Sequence, residues 1–226
     1  NLGDGDDLIR GDNGKNTLQF IGDDIGDDVV SVFLSYMSTA TWVASGAEVR
    51  FIAMSFVEVR VGGGDDTIEV VGTGISQLVL MLGQGDDRVN ASSTDVDTIV
   101  YSGSGNDFVV AGSGDDVIYG EDGDDRLRGG DGVDSVHGDA GNDMLSGDLG
   151  DDLLDGGDGD DYLSGDFGDD VLEGGRGSDT YAAPEGSDRI RDVEGELDIL
   201  TFAQVSWWVK VDLSIRGVSQ VVDMHG

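Results

Sequence analysis

The sequence predicts an all-β fold of stacked repeats, a solenoid, and three features carry that prediction. Nine consecutive nine-residue units run from Ser102 to Ala182 without an insertion or deletion. Each has glycine at its fourth position, aspartate at its sixth and an apolar residue at its eighth. A fixed period of this length makes each unit one structural repeat, which buries its apolar residue only against the units beside it.

The glycine column is Gly105, Gly114, Gly123, Gly132, Gly141, Gly150, Gly159, Gly168 and Gly177. The aspartate column is Asp107, Asp116, Asp125, Asp134, Asp143, Asp152, Asp161, Asp170 and Asp179. The apolar column is Val109, Ile118, Leu127, Val136, Leu145, Leu154, Leu163, Leu172 and Tyr181. Position one is Gly120, Gly129, Gly138, Gly147, Gly156, Gly165 and Gly174, with Ser102 and Ala111 in the first two units. Those two exceptions predict weaker sites at the start of the array. Position two is Glu121, Asp139, Asp148 and Asp166 in four units. Aspartate tolerates the backbone angles usually left to glycine better than most residues do, so Glu121 is the least expected of the four.

These units resemble the glycine-rich nonapeptide G-G-x-G-x-D-x-U-x of the RTX (repeats-in-toxin) family, and Gly129 to His137 fits it at every position. The resemblance implies a parallel β-roll, a right-handed β-solenoid with two short strands and two calcium-binding turns per 18-residue coil, closed by a C-terminal β-rich cap. It also implies that calcium sits between stacked turns, each aspartate shared by the ions above and below it.

The chemistry of the loop agrees. A G-x-x-G-x-D segment reverses the chain, glycine permitting positive φ and close approach, and turns backbone carbonyls and one carboxylate toward a common space. Consecutive units point opposite ways, so loops two units apart stack at about the 4.8 Å strand spacing. Two stacked loops make an all-oxygen cage of the kind calcium accepts, with about six to eight ligands at 2.3–2.6 Å. Magnesium demands a tighter octahedron and keeps its waters, and transition metals prefer imidazole or thiolate ligands that these loops do not provide. One edge of the array holds Asp107, Asp125, Asp143, Asp161 and Asp179, and the other Asp116, Asp134, Asp152 and Asp170. Four gaps and three gaps predict about seven calcium ions.

Upstream, residues 1–101 read as a less regular N-terminal solenoid with degenerate copies. Weak copies lie at Leu2 to Arg10, with Asp7 as its aspartate, at Gly11 to Gln19, where Asn16 replaces aspartate, and at Gly26 to Val30. The segments Val29–Leu34, Glu48–Ile52 and Phe56–Val61 are β-branched and aromatic with partial alternation, which predicts longer strands. Two good copies follow with Asp66 and Asp87, spaced so that Asp66, Asp87 and Asp107 stack along one edge in coils two or three residues longer. The opposite edge of those coils lacks the loop. Stacking there predicts two more ions, nine or more in the whole chain. Because the chain opens inside a repeat, it reads as a segment of a longer protein.

The array is expected to stop at Ala182, before Pro184, the only proline. Residues 183–226 are dense in large apolar groups, including Trp207 and Trp208, and read as the cap that a solenoid's open end needs.

Composition bounds the partners. A formal charge of −36, from 48 acidic and 12 basic residues, repels nucleic acid and demands cations. With no cysteines there is neither a disulfide nor a thiolate site, and no apolar stretch approaches the roughly 20 residues of a membrane span. His137 and His225 are the only histidines, and His137 at position nine is expected at the surface. No H-E-x-x-H or G-x-S-x-G motif is present. Paired acids such as Asp115 and Asp116 recur at almost every loop, which assigns them to metal rather than to glycosidase chemistry. The chain therefore predicts no enzyme activity of its own.

Without calcium the stacked carboxylates repel, and one apolar side chain per unit does not offset the conformational entropy of the glycines. The expectation is a chain unfolded at low calcium that folds on binding it. The resemblance places such a module in a secreted bacterial protein, extracellular or at the cell surface, exported through a type I secretion apparatus by way of its parent. It equally suits the C-terminal domain of an extracellular protease, lipase or cytolysin, or an adhesin or surface-layer segment with a host or surface ligand that the sequence does not name.

Overall fold

The computed structural model describes residues 56–72, 76–182, 186–191 and 198–199 with their side chains, and the backbone of strands at 10–12, 15–21, 29–34, 41–44, 47–50, 194–195, 200–201, 210–212 and 221–223. Positions seven to nine of each unit form a short strand whose middle residue faces inward while its neighbours face out. The burial of Arg126–Asp131, exposed at Arg126 and Arg128 and buried at Leu127, is typical. Among the described residues there is no helix.

The strands make two sheets of 12. One runs in order through Arg10–Asp12, Lys15–Ile21, Phe56–Gly63, Gln77–Gln84, Thr98–Ser104, Val117–Asp122, Ser135–Ala140, Leu153–Asp158, Val171–Gly177, Arg189–Arg191 and Lys210–Asp212, with Glu194–Gly195 also pairing Val171–Gly177. The other runs through Ala47–Arg50, Thr41–Ala44, Val29–Leu34, Thr67–Gly72, Arg88–Thr94, Phe108–Val110, Arg126–Asp131, Met144–Leu149, Tyr162–Ser164, Thr180–Ala182, Ile199–Thr201 and Val221–Asp223. Consecutive strands alternate between the sheets from Phe56 to Ala182, and every pairing in that stretch is parallel. This is a parallel β-roll, as the nonapeptide period predicts.

Register fixes the coil length. Val117 lies opposite Ser135, Ser135 opposite Leu153 and Leu153 opposite Val171, an 18-residue offset throughout the array. Above it the coils are longer, with Val57 opposite Leu78 and Leu78 opposite Thr98. The first sheet then steps from Phe56 back to Thr17, and the second from Thr67 to Val29. Between those strands the chain makes an antiparallel hairpin, Thr41–Ala44 with Ala47–Arg50, added to the edge of the second sheet. The strands expected over 29–61 are thus present at Val29–Leu34, Ala47–Arg50 and Phe56–Gly63. The weak copy at Gly11–Gln19 does not form a coil of the array type, because Arg10–Asp12 pairs antiparallel with Lys15–Ile21.

At the other end the stacking does not stop at Ala182. Leu172 lies opposite Ile190 at the same 18-residue offset. Gly186, Asp188 and Ile190 occupy positions four, six and eight of a tenth unit, with Pro184 at position two. The strand Thr180–Ala182 already ends before that proline, so it interrupts no strand. Beyond it the coils lengthen, Thr180 facing Ile199 and Arg189 facing Lys210. Trp207 and Trp208, expected to cover the last coil, lie outside the described residues.

The core is a single column one side chain wide through the array, from Val109 to Tyr181, with every member at most 2% exposed. In the longer coils it widens. Val57, Val59 and Val61 all face inward, as do Leu78, Leu80 and Leu82.

Candidate metal centre

Each turn between the sheets takes six residues from position one to the aspartate at position six, and glycine at position four is needed twice over. Its φ is 143° at Gly123 and 144° at Gly141, a region that L-residues rarely enter. A Cβ on Gly141 would also fall on the carbonyl oxygen of Gly123 in the loop above. Position two is left-handed as well. Glu121, Asp139, Asp148 and Asp166 have φ between 65° and 73°, the cost a non-glycine residue bears for standing there.

This geometry stacks the aspartates in two ladders. The Asp107 amide donates to Asp125 Oδ1 at 2.7 Å, Asp125 to Asp143 at 2.7 Å, Asp143 to Asp161 at 2.8 Å and Asp161 to Asp179 at 2.9 Å. On the opposite edge Asp116 donates to Asp134 at 2.8 Å, Asp134 to Asp152 at 2.8 Å and Asp152 to Asp170 at 2.9 Å. The sequence spacing of Asp66 and Asp87 puts them where expected. Asp66 donates to Asp87 Oδ1 at 2.7 Å and Asp87 to Asp107 Oδ1 at 2.7 Å. The other edge of those coils carries Thr98 in line with Asp116, its amide donating to Asp116 Oδ1 at 2.6 Å, so the loop is absent there.

Position five builds a second, exposed ladder outside the first. Asp124 N–H donates to Asn106 Oδ1 at 2.8 Å, Asn142 N–H to Asp124 Oδ1 at 2.8 Å and Asp160 N–H to Asn142 Oδ1 at 2.8 Å. The paired acids of each loop therefore divide their work. One ties neighbouring loops together at the surface while the other turns inward.

The inward carboxylates use only half of their oxygens. Oδ2 of Asp87, Asp107, Asp125, Asp134, Asp143, Asp152, Asp161, Asp170, Asp179, Asp188 and Asp198 is buried with no hydrogen-bond partner. A buried, unpaired carboxylate oxygen is costly. Desolvation, partly offset by the backbone hydrogen bond each accepts, pushes Asp125, Asp134, Asp161 and Asp170 up to about 7. It pushes Asp107, Asp143, Asp152 and Asp179 up to about 6. Neighbouring carboxylates in the column add to the rise at Asp125, where Asp107 and Asp143 both repel its charge.

Position one shows what the free oxygens face. A Cβ built on Gly120 would fall against Asp125 Oδ2 and the carbonyl oxygen of Gly138, and one on Gly138 against Asp143 Oδ2 and the carbonyl of Gly156. The second edge repeats this at Gly147 with Asp152 Oδ2 and the carbonyl of Gly165. The gaps at Gly120, Gly138, Gly147 and Gly156 thus hold a glycine-walled pocket where a free carboxylate oxygen meets a carbonyl of the next loop. No three His, Cys, Asp or Glu side chains converge among the described residues, so carbonyl oxygens must supply most ligands. That donor set fits calcium, which takes carbonyl and carboxylate oxygens together, and does not fit a transition metal.

Asp116 departs from the pattern, for its Oδ2 accepts the Gly112 amide at 3.2 Å. Two residues escaped the sequence reading. Asp170 donates to Asp188 Oδ1 and Asp179 to Asp198 Oδ1, each at 3.1 Å, extending both ladders. Asp188 stands nine residues beyond Asp179 and was legible from the period, whereas Asp198 follows a longer coil and was not. Asp7 lies outside the described residues. His137 is on the outer face, stacked on Tyr119 at 5.0 Å with Nδ1 3.6 Å from Asp155, away from the ladders.

A family model described as the RTX calcium-binding nonapeptide repeat, in four copies, matches residues 1–19, 101–136, 119–154, 146–181 and 155–190. The last of these spans the tenth unit that the register reveals. A search of the curated proteins found no match.

Proposed function

We propose, from the premise that this chain is an RTX calcium-binding repeat protein, that its array is a calcium-worked folding switch in a bacterial protein secreted by a type I apparatus. Inside the cell, where calcium is scarce, the array is unfolded; outside, calcium drives it into the rigid β-roll. The chain's ligands are the carboxylates of Asp107, Asp116, Asp125, Asp134, Asp143, Asp152, Asp161, Asp170 and Asp179, joined by carbonyls of the surrounding glycine loops. The cation supplies the positive charge that the buried columns lack.

One observation carries this reading. Aspartates with a buried, partnerless Oδ2 are stacked in like-charged columns, and the space those oxygens face is kept open by glycine. An array that buries one apolar side chain per unit cannot hold such columns ionised without a counter-charge. Metal binding then contributes folding free energy directly, as it does wherever a site exists only in the folded state. Weak extracellular-type sites, with affinities of about 10⁻⁴–10⁻³ M, suit a switch that must stay off in the cytosol. Expression of the chain in fusion with a reporter, with calcium varied on the outer side of a type I exporter, tests the export half. Export that is unaffected when the cytosolic calcium level is raised enough to fold the array would sink the reading.

A further inference from the structure

We infer that the position-one column sets where the calcium ladder begins: Val61 and Leu82 close the first two gaps, Ser102 contributes its hydroxyl as a ligand in the third, and residues 56–101 fold without metal. This rests on the calcium reading above and stands against the expectation that the Asp66–Asp87–Asp107 stack holds two ions.

The loops are equivalent in backbone. Gly62 pairs with Gly83, Gly83 with Gly103 and Gly103 with Glu121, which puts Val61, Leu82, Ser102 and Gly120 in one register. Gly64, Gly85, Gly105 and Gly123 all have positive φ, and the aspartate follows two residues later in each. Only the side chain at position one differs. In the array a single carbon there would fall on the free aspartate oxygen, as it does at Gly120, Gly138 and Gly156. Valine and leucine carry that carbon and more. Both are buried at 1% exposure and belong to the hydrophobic core. Asp87 keeps a buried Oδ2 without a hydrogen-bond partner, as the array aspartates do, but beside it Leu82 fills with apolar atoms the space that glycine leaves open in the array.

Ser102 stands between the two regimes. It is fully buried and its Oγ has no hydrogen-bond partner, in register with Gly120 and five residues before Asp107, whose Oδ2 is equally without one. Two partnerless buried oxygens in one gap, one neutral and one anionic, are a donor pair for a hard cation. The closed coils do not need the ion, because they carry three inward side chains per strand on the first sheet where the array carries one. They present a preformed parallel edge, Thr98–Ser104 and Arg88–Thr94, on which the first calcium-dependent coil pairs. A solenoid propagates from a neighbour more readily than it nucleates.

Native mass spectrometry of the full chain in calcium counts ions in the parent and in variants, and hydrogen exchange after calcium is stripped maps what stays folded. Asp87→Asn leaves the count unchanged and Asp143→Asn lowers it. Leu82→Gly adds one ion and Ser102→Val removes one. Amides of 57–100 stay protected without calcium while those of 107–181 exchange. A lower count in Asp87→Asn, an unchanged count in Ser102→Val, or exchange spread evenly over both regions would overturn the inference while calcium binding stood. A parent chain that takes up no calcium would overturn the proposed function, and the ligand role of Ser102 with it. Should Leu82→Gly fail to fold, Ser102→Val and the exchange map still decide.

Discussion

Residues 56–101 and 102–191 coil through the same two sheets, yet they are held together by different things. The first region fills its interior with Val57, Val59, Leu78, Leu80, Val89 and Val100, and its coils of 20 and 21 residues leave room to do so. The second has one buried apolar residue per nine and gives the rest of its interior to carboxylates and glycine. Shortening the coil to 18 residues thus trades apolar volume for stacked oxygens. On the proposed reading, what stabilises the first region works in any solution, and what stabilises the second depends on a cation.

The largest expected contrast follows from removing that cation. Limited proteolysis of calcium-stripped protein at neutral pH should cut throughout 105–181 and spare 57–100, and calcium should protect both. Cuts in both regions without calcium would erase the distinction. Core truncation comes next. Leu80→Ala should cost about 2–5 kcal/mol in denaturant melts whether or not calcium is present. Leu145→Ala, at the same burial, should show itself as a higher calcium requirement for folding, because its loss draws on a fold that calcium completes. Equal behaviour of the two variants in calcium and in its absence would contradict this.

Acid should act in a smaller and opposite way on the two forms. Burial holds Asp125, Asp134, Asp161 and Asp170 at about 7 against an ordinary 3.8. In the metal-free fold these groups bind protons more tightly than in the unfolded chain, so their contribution is complete below 3.8 and is lost as pH rises through about 7. Calcium-stripped array should therefore gain β-structure by circular dichroism as pH falls from neutral toward 4. Calcium affinity should weaken over the same range as protons compete for the ligands. The smallest effect is local. Glu121→Gly removes a left-handed glutamate at φ 69° and should stabilise the calcium-bound array by about 1 kcal/mol in thermal melts.

The array was legible because one period fixes everything in it: Gly105, Asp107 and Val109 recur every nine residues, and a repeated residue has a repeated environment. The Asp66–Asp87–Asp107 stack was legible for the same reason, from spacing alone. What such a stack contains was not, because the identity of position one matters only once Val61 and Leu82 are seen in register with Gly120. Pro184 misled for a physical reason, since a proline reads as a break wherever it stands, and here Thr180–Ala182 ends before it. The hairpin at 41–50 carries no period at all, so only its second strand was announced, by the β-branched and aromatic residues of Glu48–Ile52, while Thr41–Ala44 and the antiparallel pairing had no signal in the sequence.

A calcium titration followed by far-UV circular dichroism and calorimetry, with magnesium as the control, tests most directly whether calcium is the counter-charge of the stacked aspartates. The prediction is a cooperative gain of β-structure in calcium alone, on top of a β signal already present in chelator, with about nine ions bound, one for each gap of the two ladders once Asp188 and Asp198 extend them. A spectrum unchanged by calcium, or an equal response to magnesium, would contradict it.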